Sequence, residues 1–147
     1  VQENLQYDSS LWEALSMAYF EAYHAGGSRE YLTKAAEGFR QVLELGVTKA
    51  YLYADLYTVY YQLGDYTAAG QALDDYQAMY PQDYMPHALR GMLLITVENQ
   101  KAQSARDYRQ AVSEYETAGQ LIRSEDETTY YQQLGSLIDQ LRSKGWL

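Results

Sequence analysis

Residues 50–83 carry apolar and small residues at two successive helical spacings, and the same arrangement returns on either side of them. Tyr53, Leu56, Tyr57 and Tyr60 recur at steps of three and four, which places them on one face of a helix. Gly64-Asp65 is a helix stop signal. Ala69, Leu73 and Tyr76 then form the stripe of a second helix, and Pro81 marks its end. Each such hairpin leaves an apolar face that only a neighbouring hairpin covers, so a chain built this way is constrained to stack its units.

Stepping back by 41 residues matches Trp12, Leu15, Ser16 and Tyr19 to the first stripe, and stepping back by 34 matches Ala35 and Phe39 to Ala69 and Leu73. Stepping forward by 34 gives His87, Arg90, Gly91 and Leu94; stepping forward by 42 gives Ala111, Tyr115 and Ala118. The spacing predicts repeats at about 9–49, 50–83 and 84–125. The outer two carry surplus residues close to two helical turns, so each is expected to be a longer hairpin with one added turn per helix. In the first, the surplus falls between Tyr19 and Ala35, around Gly26-Gly27. Tyr131, Leu134, Gly135 and Ile138 repeat the first-helix spacing once more, which predicts a terminal capping helix over about 126–143. Ser10-x-x-Glu13 and Ser124-x-x-Glu127 read as capping boxes that start helices in phase with the repeat.

The 34-residue unit is similar to the tetratricopeptide-repeat (TPR) pattern W-x2-L-G-x2-Y…A-x3-F…P, with Tyr53 for the Trp, Tyr57 for the small residue, Leu73 for the aromatic, and Ala69 and Pro81 matching outright. Arg90 departs from the usual Leu, and Arg123 from the terminal Pro. The resemblance covers about residues 9–140. It implies a single all-α domain: a right-handed superhelix of three helix-turn-helix hairpins plus a C-terminal capping helix. The long outer hairpins and the Gly-Trp-Leu ending also resemble TPR regions at the C-terminal end of larger bacterial proteins, among them membrane-anchored serine/threonine kinases. That implies a second reading, a ligand-sensing or regulatory domain of a signalling protein, either cytoplasmic or extracytoplasmic. Val1 in place of an initiator Met fits the expectation of a piece of a longer protein.

At 147 residues the chain is long enough to bury a core without metal or disulfide support. Hydrophobic residues make up 47%, but no run reaches the ~20 apolar residues of a membrane helix. A net charge of −9 repels phosphate backbones and anionic membrane surfaces, which argues against nucleic acid as a partner and against direct membrane contact. The absence of cysteine removes disulfides, thiol catalysis and cysteine-zinc sites while leaving the compartment open. Seventeen tyrosines against two phenylalanines suit half-buried positions between helices, with the ring inside and the hydroxyl at the surface.

Candidate chemistry is sparse. Glu21-x-x-His24 has the spacing of a carboxylate-bridged di-iron ligand pair, but such a site needs two pairs, and His87, the only other histidine, has Tyr84 three residues before it. These histidines are read as a solvated helix face and an inter-helix contact. Asp74-Asp75 and Glu125-Asp126-Glu127 are read as solvated charge rather than acid–base pairs. Without a phosphate loop or nucleophile elbow, no enzyme and no cofactor are expected.

In TPR arrays the first helices of successive repeats line a concave groove, and the resemblance implies ligand contacts from their non-core face. Projected onto this chain, that face comprises Met17 and Phe20, with Glu13 and Glu21, in the first repeat; Tyr51, Asp55, Thr58 and Tyr61, with Ala54, in the second; and Met85, Leu89, Met92 and Ile95, with Ala88, in the third. None is basic, unlike the Lys, Arg and Asn of family members that clamp a terminal carboxylate. The expectation is protein–protein interaction with a peptide bearing apolar anchors and a basic flank. A neighbouring domain, a second copy of the chain, or the Trp146-Leu147 tail would cover the same face in the alternative.

Overall fold

The computed structural model describes residues 8–122 and 125–144. Among these are seven α-helices and no strand: α1 (Ser9–His24), α2 (Glu30–Glu44), α3 (Ala50–Leu63), α4 (Tyr66–Met79), α5 (Met85–Asn99), α6 (Arg109–Leu121) and α7 (Glu125–Ser143). They pair as three antiparallel hairpins, α1–α2, α3–α4 and α5–α6, with α7 as a terminal helix. The described residues fall into two compact units, one ending at Met79 and one beginning at Tyr80.

In the first unit the start of α1 is set by Asp8. Its backbone is extended and its carboxylate accepts the Leu11 N–H at 3.1 Å, satisfying one of the orphan donors of the first turn. The expected Ser10 cap is thus displaced by two residues, because an acid sits ahead of the serine and takes that donor first. Ser124 of the other expected box lies outside the described residues. Between α3 and α4, Gly64 adopts a left-handed conformation with φ +75°, which a side chain would strain, and the Asp65 N–H returns to the Tyr60 carbonyl at 3.0 Å. The Asp65 carboxylate then accepts the Ala68 N–H at 3.1 Å, so one Gly-Asp dipeptide ends α3 and starts α4.

Small residues set how closely the helices approach. Ala35 and Ala69 are wholly buried, as are Leu32, Phe39, Leu52, Val59 and Leu73 around them. Gly38 of α2 lies against α1, where a Cβ would run into the Ser16 hydroxyl and sit 3.1 Å from the Ser16 Cβ. Tyr53 and Tyr76 stack across the second hairpin at 5.7 Å. Two arginines tie the first hairpin to α3: Arg29, just ahead of α2, donates to the Leu63 carbonyl at the end of α3, and Arg40 Nε of α2 donates to the Tyr60 hydroxyl while its guanidinium lies 5.2 Å from that ring's centre.

In the second unit α5 starts where the Asp83 carboxylate accepts the Met85 N–H at 2.9 Å and Pro86 occupies the first turn. Gly91 faces Tyr115, with room for the ring only because no Cβ is present; one would lie 2.8 Å from it. Arg90 and His87 converge on Glu114 of α6: His87 Nδ1 is 2.7 Å from one carboxylate oxygen and Arg90 Nε 3.9 Å from the other. Helix α7 closes this unit by packing Leu137 and Ile138 onto the buried cluster of Ala88, Tyr115 and Ala118, and Arg142 reaches Glu116 at 3.1 Å.

The surplus residues of the outer hairpins do not form one extra turn per helix. In the third hairpin they occupy the 100–108 connector, against residues 64–65 in the second. The connector is held by its own polar contacts. Arg106 donates to the Asn99 and Lys101 carbonyls at 3.1 Å each, capping the end of α5, and Tyr108 is buried with its hydroxyl donating to Asn99 Oδ1. A loop that satisfies carbonyls in this way competes with helix extension.

The Gly38–Ser16 contact gives a direct test. Gly38→Ala is expected to destabilise the chain by about 1–3 kcal/mol through overpacking, despite alanine's better helix propensity. Urea denaturation checks it; a gain in stability would show that α1 and α2 are not held this closely.

Candidate functional site

Helices α1 and α3 turn their core stripes toward α2 and α4. The stripe beside the core carries Glu13 and Met17 on α1 and Tyr51, Asp55 and Thr58 on α3. These two stripes meet: the Tyr51 hydroxyl donates to Glu13 Oε1. Met17 and Tyr51 are exposed, whereas Glu13 and Asp55 are half-buried. The outcome is an acidic notch edged by a thioether and an aromatic ring.

The electrostatics follow from this geometry. The hydrogen bond to Glu13 is the largest cause pushing the Tyr51 hydroxyl from 10.0 up to about 12, with burial and the Glu13 and Asp55 charges adding to it. Burial, then the Glu13 charge, raises the Asp55 carboxyl above its ordinary value. Both folded-state values exceed the unfolded ones. The stability each contributes is therefore full below the unfolded value and lost as pH rises through the folded one: in the alkaline range up to about 12 for Tyr51, and on the acid side for Asp55. At neutral pH the folded chain holds the Asp55 carboxylate at a cost that a nearby cation relieves.

The remaining projected residues divide. Thr58 spends its hydroxyl on the Ala54 carbonyl at 2.9 Å. Phe20 is half-buried with its ring edge-on to His24 at 4.6 Å, and Tyr61 sits between the rings of Tyr57 and Tyr66 at 5.8 and 5.6 Å. In the second unit Met85, Leu89 and Met92 share one stripe of α5, and Met92 is exposed. Ile95 instead turns to the Ala88–Tyr115–Ala118 cluster, and Ala88, also projected onto the groove, is core; α7 covers that side. Helical projection missed Lys49, whose Nζ lies 5.8 Å from the Tyr51 ring centre. It precedes α3, so no helical wheel places it.

His24 packs against Phe20 and Tyr23, and among the described residues no group of three His, Asp or Glu side chains is placed to hold a metal. Nor is any described helix long and apolar enough to cross a membrane. Trp146 and Leu147 lie outside the described residues.

No family model matches the sequence, and no curated protein does. Solved structures are similar in fold. The Yersinia enterocolitica type III secretion chaperone SycD, in complex with a peptide of the translocator YopD, superposes with a TM-score of 0.69 at 18% identity, over 94% of this chain and 97% of that one. The Arabidopsis OM64 TPR domain gives 0.64 at 14% identity, over 92% and 97%. The first TPR of Spaghetti (RPAP3), bound to the HSP90 peptide SRMEEVD, gives 0.58 at 13% identity, over 90% and 96%. The fold is TPR-like. Within that TPR-like frame the Glu13–Tyr51 contact joins the first helices of two successive hairpins.

That contact is open to a spectroscopic check. Glu13→Gln is expected to bring the Tyr51 hydroxyl down from about 12 toward the ordinary ~10, followed by carbon NMR of labelled tyrosine with Tyr51→Phe for assignment. A Tyr51 titration unchanged by Glu13→Gln would mean that the two side chains do not meet in solution.

Proposed function

We propose that this chain is a non-enzymatic protein-interaction module that binds a peptide on the α1–α3 face of its first unit. The observation that carries the reading is the acidic notch of Glu13 and Asp55 beside exposed Met17 and Tyr51. Two TPR-like neighbours hold peptides, one from YopD and one from HSP90, which supports a peptide as the ligand class. The HSP90 peptide SRMEEVD ends in a mostly acidic segment. The face described here has the opposite requirement: its half-buried carboxylates favour a peptide with Lys or Arg beside an apolar anchor. Met17 adapts to varied anchor shapes, and Tyr51 offers a rigid ring on which an aliphatic or guanidinium group lies flat.

A peptide array with Leu, Met or Phe anchors and either basic or acidic flanks tests this directly. Basic-flanked peptides are expected to bind preferentially, and more weakly as salt rises. The double variant Glu13→Gln/Asp55→Asn is expected to reduce that preference roughly twofold to thirtyfold, the effect of two partly exposed ion pairs of ~0.2–1 kcal/mol each. Met17→Glu should remove binding of the apolar anchor. Equal capture of acidic- and basic-flanked peptides, or capture untouched by Met17→Glu, would move the ligand off this face.

A further inference from the structure

Among the described residues, α1 lacks a wall that α3 has. Leu11 and Leu15 of α1 stand 41 residues before Leu52 and Leu56 of α3, at the same repeat positions. In α3 these leucines are 0% and 2% exposed; in α1 they are 42% and 41% exposed. The furrow over Tyr53 and Leu56 is walled by Arg40, Leu43 and Glu44 of the preceding helix α2 as well as by Asp75, Ala78 and Met79 of its own hairpin, whereas among the described residues the matching furrow on α1 is walled from its own hairpin: Trp12, Leu15 and Tyr19 facing Lys34, Glu37 and Gln41. Ala18 and Ala22 continue the stripe, so the outer face of α1 is apolar along its whole length with small residues at its centre and end.

We propose that a second copy of this chain covers that face, α1 against α1, across a two-fold axis. The charges favour a copy of the same chain. Lys34 and Glu37 lie one turn apart on α2 along the edge of the furrow, a self-complementary pair that a two-fold operation brings together as Lys34 with the partner's Glu37 and the reverse. Within its own chain Lys34 makes two exposed contacts, with Glu30 at 3.9 Å and over the Tyr19 ring at 5.6 Å, each worth little on its own. Ala18 permits close approach of the two helices, as Ala35 and Ala69 do inside the hairpins. A sixteen-residue helix is ~24 Å long, so the contact falls near the lower end of stable interfaces and the dimer dissociates on dilution. This interface is separate from the α1–α3 face and leaves Glu13 and Met17 uncovered.

Sedimentation velocity over a concentration series decides the matter, with circular dichroism confirming that each variant is folded. The wild type should pass from monomer to dimer as concentration rises. Leu15→Glu, at an exposed position that folding tolerates, should lower the association constant at least about tenfold by burying an unpaired carboxylate in the contact. Lys34→Glu alone should weaken association, and Lys34→Glu with Glu37→Lys should restore it. A wild type that stays monomeric throughout, or a dimer indifferent to Leu15→Glu, would overturn the proposal and assign the face to another occupant.

Discussion

Close contact between paired helices at small residues is the constraint on which the rest of this structure depends. Ala35, Ala69 and Ala111 stand at one position of α2, α4 and α6 and are all buried. Gly38 against Ser16 and Gly91 against Tyr115 extend the same contact. Larger residues there would hold the helix axes apart, and the tyrosines and leucines beside them would lose their fit. Each of those large side chains contributes roughly 1.5–3 kcal/mol when fully buried, so the small residues act mainly by letting the large ones pack. Because the first helix of each hairpin commits one stripe to its partner, the adjacent stripe stays outside that contact, and the proposed recognition face lies on it in α1 and α3.

Tyrosine serves both sides of this arrangement. Tyr53, Tyr57, Tyr76, Tyr108 and Tyr115 are buried and carry the core, while the hydroxyls of Tyr60 and Tyr108 bind Arg40 and Asn99. Tyr51 uses the same chemistry at the surface, giving its hydroxyl to Glu13 and its ring to Lys49. A phenylalanine core of the same size would lack these polar tethers between elements. Inside the second unit, His87 and Arg90 gathered on Glu114 do the comparable work between α5 and α6.

The hairpins were legible because a repeated three-and-four spacing has only one helical interpretation, and Gly64-Asp65 announces its turn by residue type alone. The 100–108 connector was not legible. Its order comes from Arg106 and Tyr108 reaching back to α5, contacts that leave no periodic trace, so a period-based reading assigned those residues to longer helices. Asp8 and Ser10 both suit the cap position by residue type, and only the backbone chooses between them. Ile95 and Ala88 were projected onto the groove from a single helix; the packing of α7 on α5 and α6, a tertiary fact, turned that side inward. Lys49 lay outside every helical projection. Local signals thus gave the elements, and the neighbours of each element decided what its faces are for.

The measurement that most directly tests a first-helix recognition face is amide chemical-shift mapping of the isotope-labelled chain titrated with a peptide that joins one apolar anchor to two lysines. Shifts concentrated on Glu13, Met17, Tyr51 and Asp55, with the Leu11 and Leu15 amides unmoved, are the expected result. Saturable shifts centred on the outer edge of α1, on the 100–108 connector or on α4 would contradict it and place recognition on a surface that the repeat geometry does not reserve.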